Sequence, residues 1–297
     1  MGTTTKIRRR PEAFNIVNGA ILLLIAVACI YPFIYIASVS VSDGPYVASS
    51  QVYLLPKGLN FETYRYIFTN PRLGIVQGVL NSVFYTVVGT FVAVILTYCT
   101  AYVLSRKKFR GRHFIMMAFL ASWIFEAGII PNYIINDRLG LVNSRWVMIL
   151  PGAISTFLLI VTRAYLESIP DELEESASID GANDFQIMWK IYLPLAVPVL
   201  ATTGIFYAVT IWNSFLIPLI YLQDKSLQPI QLVLYNLLIN QDPHSTSLEN
   251  LTLHGHQILP QNIQAATMIL AIVPILFFYP FAQRYFTKGI TIGALKG

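Results

Sequence analysis

The stretch Glu175-Ser176-Ala177-Ser178-Ile179-Asp180-Gly181-Ala182, running on to Ile191-Tyr192-Leu193-Pro194, decides how the rest of the chain is read. It is polar and acid-rich, yet it lies between two segments that are each apolar enough to sit in lipid. From Ser168 to Asp184 the chain carries Asp171, Glu172, Glu174, Glu175, Asp180 and Asp184 without one Lys or Arg. Ser168, then Asp171 with Pro170 in the first turn, predicts a helix start. Leu173 and Ala177 then share one helical face, with Glu172 and Glu175 elsewhere around the helix. Gly181 interrupts the pattern, and a second short helix from Ala182 presents Ala182, Phe185 and Trp189 together. Pro194 fits an early position of the next apolar helix, where its missing N–H costs little. The expectation is a helix–Gly–helix elbow over residues 168–193, lying against a membrane surface.

Composition supports that setting. The 297 residues are 55% hydrophobic and only 12% charged, whereas charged residues make up about a quarter of an ordinary soluble protein. The formal charge of +5 does not indicate nucleic acid, because the basic residues cluster beside apolar runs and not along one polar face. Cys29 and Cys99 both fall inside apolar runs, which argues against a disulfide framework, and metal-ligand spacing is absent. The apolar run after Arg10 is too long for a cleavable signal peptide, and Tyr31-Pro32-Phe33 offers no small-residue cleavage site.

Hydropathy predicts an N-terminal arm over 1–13, a membrane domain over 14–287 and a tail over 288–297. Within the domain six spans are expected, at about Phe14–Ser40, Val76–Leu104, Phe114–Ile135, Trp146–Tyr165, Leu193–Leu222 and Ala265–Phe286. The segments from Ser42 to Pro71 and from Gln223 to about Asn262 are expected as polar loops. Six spans put both termini on one side. That side holds fourteen of the Lys and Arg residues, in the N-terminal arm, the link 106–112, the elbow with its flanks, and the C-terminal end; the opposite loops hold six. The positive-inside rule makes the richer side cytoplasmic, and the elbow with it.

The spacing Glu175-x-Ala177, then Gly181, then Ile191-x-Leu193-Pro194 resembles the EAA loop of ABC importer permeases. Ser176 stands where that loop usually has Ala, and Asp180 and Ala182 flank the glycine. The blocks Phe125-Glu126-Ala127-Gly128-Ile129-Ile130-Pro131, Leu139-Gly140-Leu141, Ile149-Leu150-Pro151 and Trp212-Asn213 are similar to those of carbohydrate-type permeases, although Glu126 replaces an expected small residue. The closing Lys288-Gly289-Ile290-Thr291-Ile292-Gly293-Ala294-Leu295-Lys296-Gly297 resembles the tail of maltose-type and lipoprotein-type sugar permeases. The resemblance implies an all-α integral membrane protein of the type I ABC importer permease architecture, with a cytoplasmic coupling helix. It implies a bacterial cytoplasmic membrane and an oligosaccharide substrate. Its partners would be a second, similar permease chain, two ATPase subunits and an extracytoplasmic sugar-binding protein. The implied coupling residues are Glu175, Ser176, Ala177, Asp180, Gly181, Ala182, Ile191, Leu193 and Pro194, with a tail contact through Lys288, Gly289, Gly293 and Lys296. ATP and Mg would be bound by the partner subunits, since this chain lacks Gly-x-x-x-x-Gly-Lys-Ser/Thr.

No catalytic constellation is evident in the sequence. His254-x-His256 could hold a metal only with further ligands, and the simpler reading is solvated loop histidines. Glu126 is a carboxylate at bilayer depth, costly by at least a few kcal/mol unless paired or wetted. It reads either as a group lining a sugar path or as a residue wetted near the outer mouth. Asn81, Tyr85, Tyr207, Trp212 and Asn213 are of the kinds that bind sugar, aromatic faces covering pyranose rings and amides meeting hydroxyls. For any single one of them, packing between helices is the simpler reading. A permease for another solute such as an amino acid, a lipid-linked glycosyl transferase, and a passive channel or scaffold are the alternatives. The tail and the block around Pro131 argue against the first. Lack of a catalytic cluster argues against the second, and the elbow against the third.

Overall fold

The computed structural model describes residues 12–239, 251–253 and 255–294. These form two compact units, one from residues up to 70 and between 251 and 269, the other from residues 71–239 and 270–294.

The first unit begins with α1 (Glu12–Ser40), a helix apolar on every side whose residues from Phe14 to Tyr35 are exposed. Such a helix is stable only where lipid or a partner chain covers it. Two short helices follow, α2 (Gly44–Ala48) and α3 (Glu62–Thr69), so the segment expected as a polar loop is partly helical. A hairpin of β1 (Leu251–Leu253) and β2 (His256–Ile258) leads into α13 (Pro260–Ala294). Buried Asn262 ties these pieces together. Its amide donates to Val39 O and Ser42 O at 2.9 Å, and its oxygen accepts from Leu259 N at 3.1 Å. Asp43 adds a second knot, accepting from Gly44 N, Asn60 Nδ2 and Gln257 N at 3.1–3.2 Å.

The second unit is built on α4 (Ile75–Ser105). Around it come α5 (Arg112–Ile124), α6 (Ile129–Arg138), α7 (Thr156–Glu167), α8 (Glu172–Ile179), α9 (Asp184–Gln186), α10 (Leu193–Trp212), α11 (Leu216–Tyr221) and α12 (Ile230–Ile239). Helices α7, α10 and α12 all pack on α4. Small residues permit the close approach: a Cβ at Gly78 would lie 3.1 Å from Val233 on α12. Helix α12 lies inside the second segment expected as a polar loop. It is apolar, and Ile230, Leu232 and Val233 are buried.

Four helices among the described residues are long and apolar enough to cross a bilayer: Phe14–Ser40, Ile75–Ser105, Asp184–Trp212 and Pro260–Pro280. The other two expected spans take different forms. The third is a pair, α5 and α6, bent by 119° at a break where Gly128 adopts φ +78. The fourth opens with a 3-10 turn, Arg145–Met148, and reaches only the twelve residues of α7, because Pro151 and Gly152 delay helix formation. The fifth begins earlier than expected. No separate helix starts at Ala182; instead a capping box between Asn183 and Gln186 starts a helix at Asp184 that runs on to Trp212. A π-helical turn, Ile187–Tyr192, lets this helix pass Pro194: Leu193 N–H reaches back five residues to Met188 O.

Candidate functional site: the acidic elbow

Helix α8 is held by its own C-terminus. Gly181 N–H bonds Ser178 O at 3.1 Å and Ala182 N–H bonds Ala177 O at 2.9 Å, the paired bonds of a Schellman motif. That closure needs a left-handed residue, and Gly181 supplies it at φ +83. No atom lies within 4 Å of where a Cβ on Gly181 would sit, so the requirement is conformational and not steric. Ala177 and Ala182 both join the apolar cluster under the elbow, with Ile187 and Tyr192.

The two faces of α8 differ in chemistry. Glu174 and Ala177, three apart, point inward, whereas Glu172, Glu175, Ser176 and Ile179 are exposed on the opposite face. Ile179 is 86% exposed and Phe185, just past the turn, is 68% exposed. The exposed side chains of the elbow therefore include two large apolar groups, Ile179 and Phe185, and four carboxylates, Glu172, Glu175, Asp180 and Asp184. The Glu175 carboxylate makes no hydrogen bond or ion pair with the described residues.

The inward face is bound to the end of α4. Arg106 Nη1 donates to Glu174 Oε2 at 2.7 Å and to Tyr192 Oη at 2.5 Å. Its guanidinium lies 4.2 Å from the centroid of the Tyr192 ring and 5.0 Å from that of Tyr102. Ser105 Oγ accepts from Arg106 Nε and Nη2 at 3.1 and 2.9 Å. Lys108 reaches the other Glu174 oxygen at 3.2 Å, and Lys107 pairs with Asp171 at 2.6 Å. Burial pushes the Glu174 carboxyl up, but hydrogen bonds and charge from Arg106 and Lys108 outweigh it and hold the group below the usual range. The Asp171 carboxyl is lowered by its hydrogen bond from Lys107. The coupling acids implied by the resemblance, Glu175 and Asp180, are exposed, whereas Asp171 and Glu174 are satisfied by the basic link 106–112. Complementary charge on two neighbouring segments was the signal that could have found this.

The structure sets the candidate path residues in varied surroundings. Asn81 donates to Ser226 O and Gln228 O at 2.8 and 3.1 Å, and Tyr85 donates to Leu227 O at 2.7 Å, so both bracket the segment before α12. Tyr207 accepts from Ser155 N at 2.8 Å and shares a hydrogen bond with Thr97; Trp212 donates to Ala271 O at 3.2 Å. Asn213 is exposed, and its amide caps Val209 O. Glu126 is exposed at the break between α5 and α6. Four of the six are buried and hydrogen-bonded within the unit, while Glu126 and Asn213 are the two that face outward. At the other end, Lys288, Gly289 and Gly293 lie on the last turns of α13, and Lys296 lies outside the described residues. His244 and His254 are likewise outside them; His256 stands on β2, 3.5 Å from Asp43.

Residues 66–292 match the family described as binding-protein-dependent transport system inner membrane component, and the chain belongs to it. It is 38% identical to the polygalacturonan/rhamnogalacturonan transport system permease protein YtcP of Bacillus subtilis (strain 168), over 96% of this chain and 98% of that one. It is 37% identical to protein LplC of the same organism, over 96% of both. A chain from the crystal structure of a bacterial ABC transporter involved in the import of the acidic polysaccharide alginate superimposes with a TM-score of 0.86, at 32% identity, covering 95% of this chain and 100% of that one. The protein is thus an ABC transporter permease, a membrane-embedded transport subunit and not an enzyme.

Proposed function

We propose that this chain is the membrane-spanning subunit of an ATP-driven importer for an oligosaccharide, and that the elbow is its coupling helix. The observation that carries the reading is the two-faced elbow: one face locked to α4, the other leaving Glu175, Ile179 and Phe185 free for a partner. A pair of exposed apolar side chains together with exposed carboxylates suits a cleft with an apolar floor and basic walls. The partner is one of two ATPase subunits, which bind ATP and Mg, and a second permease chain completes the pathway. An extracytoplasmic binding protein delivers the sugar. Six crossings put both termini in the cytoplasm, with the bent pair α5–α6 as the third and α7 as the fourth. ATP-driven closure of the ATPases pushes the elbow, and helix Asp184–Trp212 carries the push into the membrane without a break. ATP and binding protein shift the inward–outward equilibrium only as far as each favours one state.

The substrate we assign is an acidic oligosaccharide. One similar protein is named for polygalacturonan and rhamnogalacturonan, and the solved transporter imports alginate; the galacturonan and alginate chains are built of uronic acids. The deciding experiment uses the complete transporter in proteoliposomes. Loaded binding protein should stimulate ATP hydrolysis, and oligogalacturonide should enter in preference to a maltooligosaccharide of equal length. Hydrolysis indifferent to the binding protein would remove the importer reading; preference for the neutral sugar would remove only the acidic assignment.

A further inference from the structure

Two residues on one face of α4, Tyr98 and Tyr102 at i and i+4, and Arg106 at its C-cap meet the elbow. Tyr98 donates to Met188 O at 2.5 Å inside the π-helical turn, and Tyr102 approaches Asp184 O at 3.5 Å. The third, Arg106, bonds both Glu174 on α8 and Tyr192 at the end of the π-helical turn, and so spans the two arms of the elbow. The Arg106 and Glu174 side chains are only 13% and 15% exposed, unlike the Lys107–Asp171 pair at 77% and 55%. An exposed pair of the second kind contributes little, whereas breaking a buried pair strands a charge and is felt strongly.

We infer that Arg106 is a positioning residue for energy coupling. It fixes the angle between α8 and the helix that enters the membrane, and it passes a push on the elbow to α4 as well as along α10. The covalent route through Gly181 does not do this alone, because its Schellman bonds close the end of α8 and reach neither α4 nor the basic link. Arg106 makes that connection from the side. Arginine suits this role, since one planar group gives two hydrogen bonds to the elbow and lies against two rings, which a lysine ammonium cannot reproduce.

The inference rests on the coupling role proposed above, so its test has one arm that needs no transport. In the first arm the permease carries Ala177→Cys as its single thiol, with Cys29 and Cys99 replaced by Ser. Ala177 is 9% exposed, so maleimide labelling should be slow. Arg106→Gln should speed it by about fivefold or more, Arg106→Lys by less, and the swapped pair Arg106→Glu with Glu174→Arg should slow it again. In the second arm the complete transporter in proteoliposomes is assayed for ATP hydrolysis with and without loaded binding protein. Arg106→Gln should keep basal hydrolysis and lose about tenfold of the stimulated rate, a difference of about 1.4 kcal/mol, with the swapped pair regaining most of it. Labelling unchanged in Arg106→Gln, or a swapped pair no better than Arg106→Glu alone, overturns the inference. Fast labelling with full stimulation also overturns it, since Arg106 would then order the elbow without serving coupling. Absence of stimulation in the unmutated transporter would instead sink the importer reading itself, while the labelling arm still reports on the clamp.

Discussion

Glu174 and Glu175 are adjacent in sequence and face opposite ways, one toward the basic link 106–112 and the other outward. Glu174 is paired with Arg106 and Lys108, while Glu175 is exposed. Their substitutions should separate accordingly. Glu175→Lys should leave the permease in the membrane at normal levels and cut its affinity for the ATPase, measured by co-purification of the subunits; unchanged association would move the docking face elsewhere. Glu174→Gln should lower thermal stability of the permease in a pH-dependent way. The Glu174 carboxyl is held below its usual range, so its contribution is fully present above the unfolded value of about 4.3 and is lost as pH falls through the lower folded value. The gap in melting temperature between the unmutated chain and Glu174→Gln should therefore be constant from pH 8 to about pH 5 and close in stronger acid. A gap that persists unchanged in stronger acid would mean that the ion pair contributes nothing. At Gly181 the argument is purely conformational. With φ +83 and open space around it, Ala should cost about 1–2 kcal/mol, Asn less, and Val more because its branched Cβ is least tolerant there. Import rates should fall in the order Gly, Asn, Ala, Val, and an equal loss for Asn and Val would point to a contact instead.

At the scale of elements, the long helices were legible and the short ones were not. A run of apolar residues longer than the bilayer is thick allows one reading, and the helices Phe14–Ser40 and Ile75–Ser105 agree with their expected bounds to within a residue. Legibility failed where pattern and environment part. Helix α12 was hidden in a segment judged polar by its flanks, although Ile230, Leu232 and Val233 are buried. The π-helical turn was unreadable because Pro194 suggests a helix start wherever an apolar run begins. Only its place five residues beyond Trp189 in a continuous helix makes it an interior proline. In the elbow the glycine and the acids could be read from residue order and the first helix only in part, since Ser168, expected as its start, ends α7 and α8 begins at Glu172; an inward acid and an outward acid look alike until the helix is set against α4. Asn81 is the element-scale test of packing against a role in the path. Its amide satisfies the Ser226 and Gln228 carbonyls, and removing it leaves acceptors short of a donor, at about 1–3 kcal/mol. Asn81→Ala should lower thermal stability while leaving the preference among sugars unaltered. A changed preference with unchanged stability would return Asn81 to the sugar path.

The whole molecule is organised by charge across the bilayer. The acid-rich elbow is anchored by Arg106, Lys107 and Lys108, the same basic link that the positive-inside rule places in the cytoplasm. On the coupling role proposed above, topology and coupling are one problem: the basic residues that would keep the link from crossing also hold the elbow. Of the two expected spans that lack a single long helix, α7 is decisive, because its twelve residues cover about 18 Å of a core about 30 Å thick. The stretch before it, through the 3-10 turn Arg145–Met148 and Pro151, has to supply the rest. Non-helical backbone at that depth is tolerated only where protein covers it, and Val147, Met148 and Ile149 are indeed buried. Two single cysteines test the crossing, each in a chain with Cys29 and Cys99 replaced: one at Ser226, beyond α11, and one at Ser176 on the exposed face of α8. In intact cells an impermeant maleimide should label Ser226→Cys and leave Ser176→Cys untouched, and opening the cells should expose the second. A chain in which α7 and its approach fail to cross would put the elbow on the side opposite the basic link that binds it. Because Glu174 and Arg106 are in contact, that arrangement is impossible without breaking the clamp. Labelling of Ser176→Cys from outside with Ser226→Cys protected would therefore overturn the topology, and the Arg106 clamp with it wherever the basic link is found inside.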